Sequence, residues 1–443
     1  MIAFRPILFF THRFLYLMLG IAGLFVLSFF LPFLFWIASA ALTVMGIGAL
    51  AEIYFLYLQG GVITARRILP RQFSNGDENP VSLHLLSSFA LPLHCWLFDE
   101  WPAGYPCPEE ELPGPLIPGS EKICAFRFRP TTRGDLTFGT LTLHISTPIN
   151  FFRKPLSYDL KASAPSFPSF IHLPDQAMMV KTTQLKEGGE HRNNRHGQSY
   201  EFESLREYAL GDDIRHINWK ASARTDRMVV NQYQEERSQS IYCIIDKGRT
   251  MQRHFDGMSL LEYAINAALA LCHLSLIKYD LAGLITFNRT IDAAVPASRR
   301  SGQLQLISET LYNATCDFAD SDFEQMFLSL HHQINHRSLL FLFTNFESLS
   351  GMKRQYSYLL SLSKRHRLVV IIFDDTELRQ SSRRPTEDIE QIYINTIVAR
   401  FMYEKVLLVK ELNKMGISAL LTAPGDISAD VINKYLAMKK SPW

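Results

Sequence analysis

The residues in this chain best placed to do chemistry are carboxylates at the ends of apolar runs. Asp246 closes the run Ser240–Asp246, and Asp374-Asp375 follows Leu368–Phe373. Carboxylates gathered on one rim can exchange protons with a substrate. Aspartates in such places also cap turns, and an Asp-Asp pair is an ordinary turn former. Both readings apply here. No GxxxxGK[ST] phosphate cradle, HExxH zinc helix or GxSxG elbow occurs in the sequence. His331, His332 and His336 end a helical pattern, and a surface place near a helix C-terminus accounts for them. The cysteines (Cys95, Cys107, Cys124, Cys243, Cys272, Cys316) form no CxxC pair and no regular framework. That argues against a zinc site and fits a reducing compartment.

Elements that bring such residues together are visible downstream of residue 240. Apolar runs at Ser240–Asp246, Ala282–Phe287, Leu339–Thr344, Leu368–Phe373 and Ser418–Thr422 read as strands. Helical patterns separate them: Leu260–Ile277, Leu304–Leu311, Phe323–Ile334, Lys353–Lys364, Asp388–Met415 and Ile427–Met438. Such alternation predicts a doubly wound α/β domain, a parallel sheet covered on both faces, over 240–443. Ligands on such sheets bind beyond the carboxyl ends of the strands.

The N-terminal part differs in kind. In a chain of 443 residues, enough for two or three domains, Phe14–Leu31 and Phe33–Leu58 are almost wholly apolar and are separated at Pro32. Each is long enough for a membrane span, which takes roughly 20 helical residues. Residues 1–60 are therefore predicted to be a transmembrane helical hairpin. Arg5 and Arg13 before it, and Arg66, Arg67 and Arg71 after it, place both ends in the cytoplasm. Glu52 is read as reaching headgroup water in a structural role rather than as a proton relay. A cleaved signal peptide ending at Ala38-Ser39-Ala40 is the weaker alternative, since more apolar sequence follows. Residues 61–170 alternate apolar and polar side chains between Pro- and Gly-rich turns. Val81–Leu85, Ile123–Phe128 and Leu136–Ile145 read as strands of a small antiparallel β-sandwich. The net charge of +2 offers no excess for nucleic acid.

A linker and signature segment, 171–239, joins the two. Lys186–Ser199 is polar and without period. From Tyr200 the sequence is dense in charge and aromatics. Phe202, Leu205, Tyr208 and Ala209 recur at helical spacing, so a helix is predicted there, stopped at Gly211. A second helix is predicted to start at Asp212 or Asp213, with Ile214, Ile217 and Ala221 apolar. Arg206, Arg215, Lys220, Arg224 and Arg227 against Glu201, Glu203, Glu207, Asp212, Asp213 and Asp226 suit a salt-bridge network or a docking surface.

Glu201-Phe202, Arg206-x-Tyr208, Gly211-Asp212-Asp213-x-Arg215-x-Ile217-x-Trp219 and Ala223-Arg224 together resemble the signature of the bacterial domain-of-unknown-function 58 family. Thr132–Gly139 is similar to that family as well, although Thr147–Phe152 departs from its usual Pro-x-Gly form. Asp246-Lys247-Gly248-Arg249-Thr250 resembles the metal-ion-dependent adhesion site of von Willebrand factor type A domains, Asp-x-Ser-x-Ser. That likeness implies a Mg2+ held by Asp246 and Thr250, with Asn345 where such domains carry an aspartate and Thr315 or Ser321 as the loop hydroxyl. Gly248 brings no oxygen. What the resemblances imply is a von Willebrand factor A-like, non-catalytic interaction module at the inner membrane with its soluble domains in the cytoplasm. Its implied partner is a MoxR-type AAA+ ATPase, in assembly or maturation of envelope proteins. Two other readings stay open. One is a hydrolase or transferase using Asp246 and Asp374; the other is an envelope-precursor receptor with Trp96, Trp101 and Tyr105 as aromatic contacts.

Overall fold

The apolar run at the start of the chain folds as two helices, α1 (His12–Leu27) and α2 (Phe33–Ile53). The computed structural model describes residues 9–169, 200–209, 217–225, 227–235, 238–314, 318–376 and 389–440. They form two compact units, the first ending at Phe167 and the second beginning at Pro168.

In the first unit, α1 is shorter than the sequence predicts. Its 16 residues span about 24 Å at the usual rise. The chain turns early because the Ser28 hydroxyl donates to the Phe25 carbonyl at 2.6 Å, and the run to Leu31 becomes the turn itself. Only 11% of the apolar stretch Phe33–Leu58 is buried, so its side chains face outward. Leu260–Ile277 is also long and apolar, but 72% of it is buried, as befits a core helix.

Three small sheets make up this part, where a small antiparallel β-sandwich was expected. One joins Ile63–Ile68, Asn79–Ser87 and Glu121–Phe128. Another contains Phe73–Asn75, Ala162–Pro168 and Gly134–Phe138; the third contains Phe9–Phe10, Phe152–Tyr158, Leu141–Ser146, His94–Asp99 and Glu109–Glu111. Leu136–Ile145, expected as one strand, is two. The chain breaks at Gly139-Thr140, where both backbone amides and the Thr140 hydroxyl are held by Glu100. Arg67, read as a membrane-flanking cation, is buried instead. It pairs with Asp99 and donates to the carbonyls of Gly139 (3.1 Å) and Leu160 (2.9 Å). Glu52 is not near water either. It is fully buried and accepts from Thr147 Oγ1 (2.7 Å) and the Phe151 amide (2.9 Å), tying the end of α2 to the 147–152 turn.

The second unit opens with a hairpin, and here the predicted helix is absent. Tyr200–Glu207 is a strand paired antiparallel with Val229–Glu235. The register slips between Phe202 and Ser204, so Tyr200, Phe202 and Leu205 oppose Glu235, Tyr233 and Asn231. A bulge stretches a two-residue period to three, which is how a strand came to show helical spacing. A short helix, α3 (Trp219–Thr225), follows, with Asn218 Oδ1 accepting from the Ala221 amide at 3.0 Å as its cap; the predicted helix start at Asp212 or Asp213 lies outside the described residues. Gly211, Asp212, Asp213, Ile214 and Arg215 lie outside the described residues.

The rest is a six-stranded sheet of β1 (Ser240–Asp246), β2 (Leu281–Phe287), β3 (Ile291–Ser298), β4 (Leu339–Phe343), β5 (Arg367–Phe373) and β6 (Ser418–Thr422). Its spatial order is 3-2-1-4-5-6. All neighbours are parallel except β3, which runs antiparallel to β2 at the edge. The sequence reading missed β3, whose alternating burial and Pro296 hid it; proline is admissible because the strand is an edge. Helices α4 (Leu260–Ile277), α5 (Gln303–Tyr312) and α9 (Ile427–Lys440) build the core on one face. On the other, α6 (Phe323–Gln333), α7 (Leu349–Arg365) and α8 (Ile389–Lys414) do the same. Near-continuous apolar strands such as LLFLF are what a sheet buried on both faces requires.

Candidate functional site at the strand tips

The carboxyl ends of β1, β4 and β5 are adjacent because those strands are neighbours in the sheet. Asp246 ends β1 and is 2% exposed. Its Oδ2 accepts from Thr344 Oγ1 at 2.6 Å, just past β4. Its Oδ1 accepts from the Gly248 amide at 2.8 Å and from the Ser321 hydroxyl. Burial pushes its carboxyl above the usual range, and the hydrogen bonds from Ser321, Thr344 and Gly248 pull the other way. Three loops are thus pinned to one carboxylate.

Ser321, not a side chain at position 248, supplies the second hydroxyl. A Cβ added to Gly248 would run into Ser321 Oγ, so a side chain there requires Ser321 to move. The backbone at Gly248 is extended and unstrained (φ −74°). Thr315, the other candidate for the loop hydroxyl, lies outside the described residues. Next to Asp246, Lys247 is buried and pairs with Asp292 at 2.7 Å, fastening the tip of β1 to β3.

Asn345 faces the next loop. Its Nδ2 donates to the Thr250 carbonyl (3.2 Å), and its Oδ1 accepts from the ammonium of Lys405 (3.1 Å). Lys405 comes from α8, is 3% exposed, and also donates to the Phe373 carbonyl. Burial pushes it down to about 8, a shift that Asp375, Asp374 and Glu347 oppose and Arg253 assists. Arg253 pairs with Asp375. Together Arg253, His254, Phe373, Asp374, Asp375, Lys405 and Pro424 line a cleft of roughly 240 Å³, its open mouth included.

Asp246, Thr250 and Asn345, expected as metal ligands, lie at the tips of β1 and β4, and their donor set does not fit a divalent ion as it stands. Both Asp246 oxygens are engaged by neutral donors, Thr250 takes part through its carbonyl, and an ammonium sits on Asn345. Among the described residues no group of three or more His, Cys, Asp or Glu is arranged to hold a metal. Lys405 itself was missed. It lies 60 residues from Asn345 in an amphipathic helix, and only its place between Phe401 and Leu408 set it apart.

The signature residues lie elsewhere in this unit. Glu201 and Arg206 stand on the first strand of the hairpin, and the Tyr208 amide donates to Met228 at 2.8 Å. Trp219 opens α3 and is 65% exposed; Arg224 is in the last turn of that helix. Arg227 pairs with Glu207 at 2.6 Å on the surface. In the first unit, the aromatics proposed for a receptor are occupied internally. The Arg153 guanidinium covers Trp96 at 3.9 Å, Trp101 donates to Asp99 (3.0 Å), and the Tyr105 hydroxyl accepts from the Thr131 amide (2.8 Å).

Residues 204–391 match the family described as "Protein of unknown function DUF58", a span from the hairpin to the start of α8. No curated protein matches the chain. Among solved structures, a CARDB domain from Pyrococcus furiosus in complex with di-metal ions is 13% identical, covers 24% of this chain and 93% of its own, and has a TM-score of 0.18. An alkylpurine DNA glycosylase from Pseudomonas fluorescens is 14% identical over 29% of this chain and 38% of its own, at a TM-score of 0.16. A β-glucosidase from Listeria innocua is 12% identical over 22% and 16%, at 0.12. TM-scores this low do not establish a common fold.

Proposed function

We propose that this chain, whose residues 204–391 form a DUF58 domain, is a non-catalytic protein-interaction module anchored in the bacterial inner membrane. The C-terminal unit is read as a von Willebrand factor A-like docking domain in the cytoplasm. Its sheet order 3-2-1-4-5-6 with an antiparallel third strand supports that reading. The outward-facing apolar side chains of α1 and of Phe33–Leu58 support the transmembrane hairpin.

One observation carries the functional reading: the closed setting of Asp246. A buried carboxylate with both oxygens already accepting from three different loop positions is a fastening, not a reagent. It stiffens the strand-tip loops into a fixed relief, which is what a docking face needs. The enzyme reading would need Asp246 open to a substrate, and it is 2% exposed with both oxygens already accepting. Exposed charges surround the fastening, among them Arg249 and Asp320. An acidic loop of the partner docks on this rim, and the exposed Trp219 of the signature segment offers a second, aromatic contact. The resemblance of the signature implies a MoxR-type AAA+ ATPase as that partner, in assembly or maturation of envelope proteins.

The test is reconstitution of the detergent-solubilised protein with a purified MoxR-type ATPase. Arg249→Glu and Trp219→Ala are each expected to weaken binding by roughly tenfold or more while leaving the melting temperature within a degree or two, as surface substitutions do. Turnover of a small molecule by the protein alone, or a C-terminal unit found outside the cytoplasm, would overturn the reading.

A further inference from the structure

Lys405 is the least expected group at the rim. It is 3% exposed, it leaves the middle of α8, and its ammonium ends between the tips of β4 and β5. There it donates to Asn345 Oδ1 at 3.1 Å and to the Phe373 carbonyl. The carboxylates of Asp374 and Asp375 line the same cleft, each 8% exposed, and both act on the ammonium electrostatically. The Phe401 ring stands on its own helix 5.2 Å from the charge. A buried lysine is costly unless its charge is matched.

The chemistry of that matching is specific. An amide oxygen, a main-chain carbonyl and two neighbouring carboxylates are hard oxygen donors, the kind that hold Mg2+ or Mn2+. The first two accept from the ammonium here, while Asp374 and Asp375 line the same cleft and Asp375 pairs with Arg253. Asp246, the residue that a metal would engage first, is turned inward and saturated. We infer that the ammonium of Lys405 is the resident cation of this rim, standing where a divalent ion would otherwise be held, so that the strand-tip loops assemble and dock without metal. Removing the ammonium leaves an oxygen-lined cup with Asp374 and the Arg253-paired Asp375 beside it, and that cup is a latent divalent-cation site.

This goes beyond the docking reading and does not depend on which partner binds, because its readout is metal occupancy. Detergent-solubilised full-length protein is titrated with Mn2+, and free Mn2+ is followed by electron paramagnetic resonance. Wild type is expected to show no saturable site, with a melting temperature unmoved by EDTA. Lys405→Met is expected to take up about one Mn2+ per chain and to lose it again when Asp374→Asn and Asp375→Asn are added. Should Lys405→Met fail to fold, Lys405→Gln keeps two N–H donors on a neutral head and takes its place. A saturable Mn2+ site in wild type that Asn345→Ala abolishes would overturn the inference. So would a folded Lys405→Met or Lys405→Gln protein that binds no Mn2+. Loss of partner binding with the metal results as expected would count against the docking reading alone.

Discussion

At Gly248 the chain replaces an expected hydroxyl with nothing, and the reason is a neighbour. Ser321 already donates to Asp246 from the space a side chain would fill. Gly248→Ser is expected to cost ~1–3 kcal/mol in urea denaturation, the usual penalty for overpacking. Adding Ser321→Gly should restore most of it, since the two hydroxyls compete for one place. His366 offers a second test. It is 2% exposed, its Nδ1 accepts from the Ser338 amide at 3.3 Å, and burial pushes it down to about 4. Its folded pKa lies below the unfolded value, so the unfolded chain takes up the proton first. Stability is therefore unaffected by this group above pH 6.5 and falls as pH drops toward 4, by about 3 kcal/mol at most. Denaturation midpoints of wild type and His366→Gln at pH 7.5 and 5 should diverge in that direction.

Element by element, the clearest dependence is that of α2 on the turn after it in the first unit. Glu52 accepts from the Thr147 hydroxyl and the Phe151 amide, and the Thr11 hydroxyl donates to the Phe151 carbonyl at 3.2 Å. Lys154 completes the join by donating to the Leu56 carbonyl at 2.6 Å, where the π-helical turn Tyr54–Leu58 leaves an acceptor. Removing the carboxylate strands two buried donors, at ~1–3 kcal/mol each. Glu52→Ala is expected to lower the thermal midpoint in detergent; Glu52→Gln, which keeps an acceptor, should lower it less. In the C-terminal unit Asp280 plays a similar part for α9. It is fully buried and accepts from the Gln239 amide (3.0 Å), the Tyr435 hydroxyl and Lys439 (3.0 Å).

At the scale of the whole molecule, each unit carries its own cores. Among the described residues, both faces of the six-stranded sheet are packed by helices of the second unit. Residues 200–443 expressed by themselves are expected to be soluble and to melt in one cooperative transition. The full chain should partition into membranes through α1 and α2 and resist extraction at high pH. A 200–443 fragment that melts without a cooperative transition would show that the first unit is needed to complete the second.

What the amino-acid sequence determined by itself was whatever depends on local period and run length. Apolar runs of five to seven residues alternating with longer helical patterns fixed β1, β2, β4, β5 and β6 almost to the residue, because a strand buried on both faces has few alternatives. The apolar N-terminal run likewise announced its two helices, though not that the first would stop at Leu27. Tertiary structure decided the rest. A bulge made a strand look helical at Tyr200–Glu207, since spacing alone does not reveal a register slip. It also put Ser321 and Lys405 beside Asp246 and Asn345, 75 and 60 residues away along the chain. Contacts that distant follow from strand order in the sheet, and no local pattern of residues encodes them.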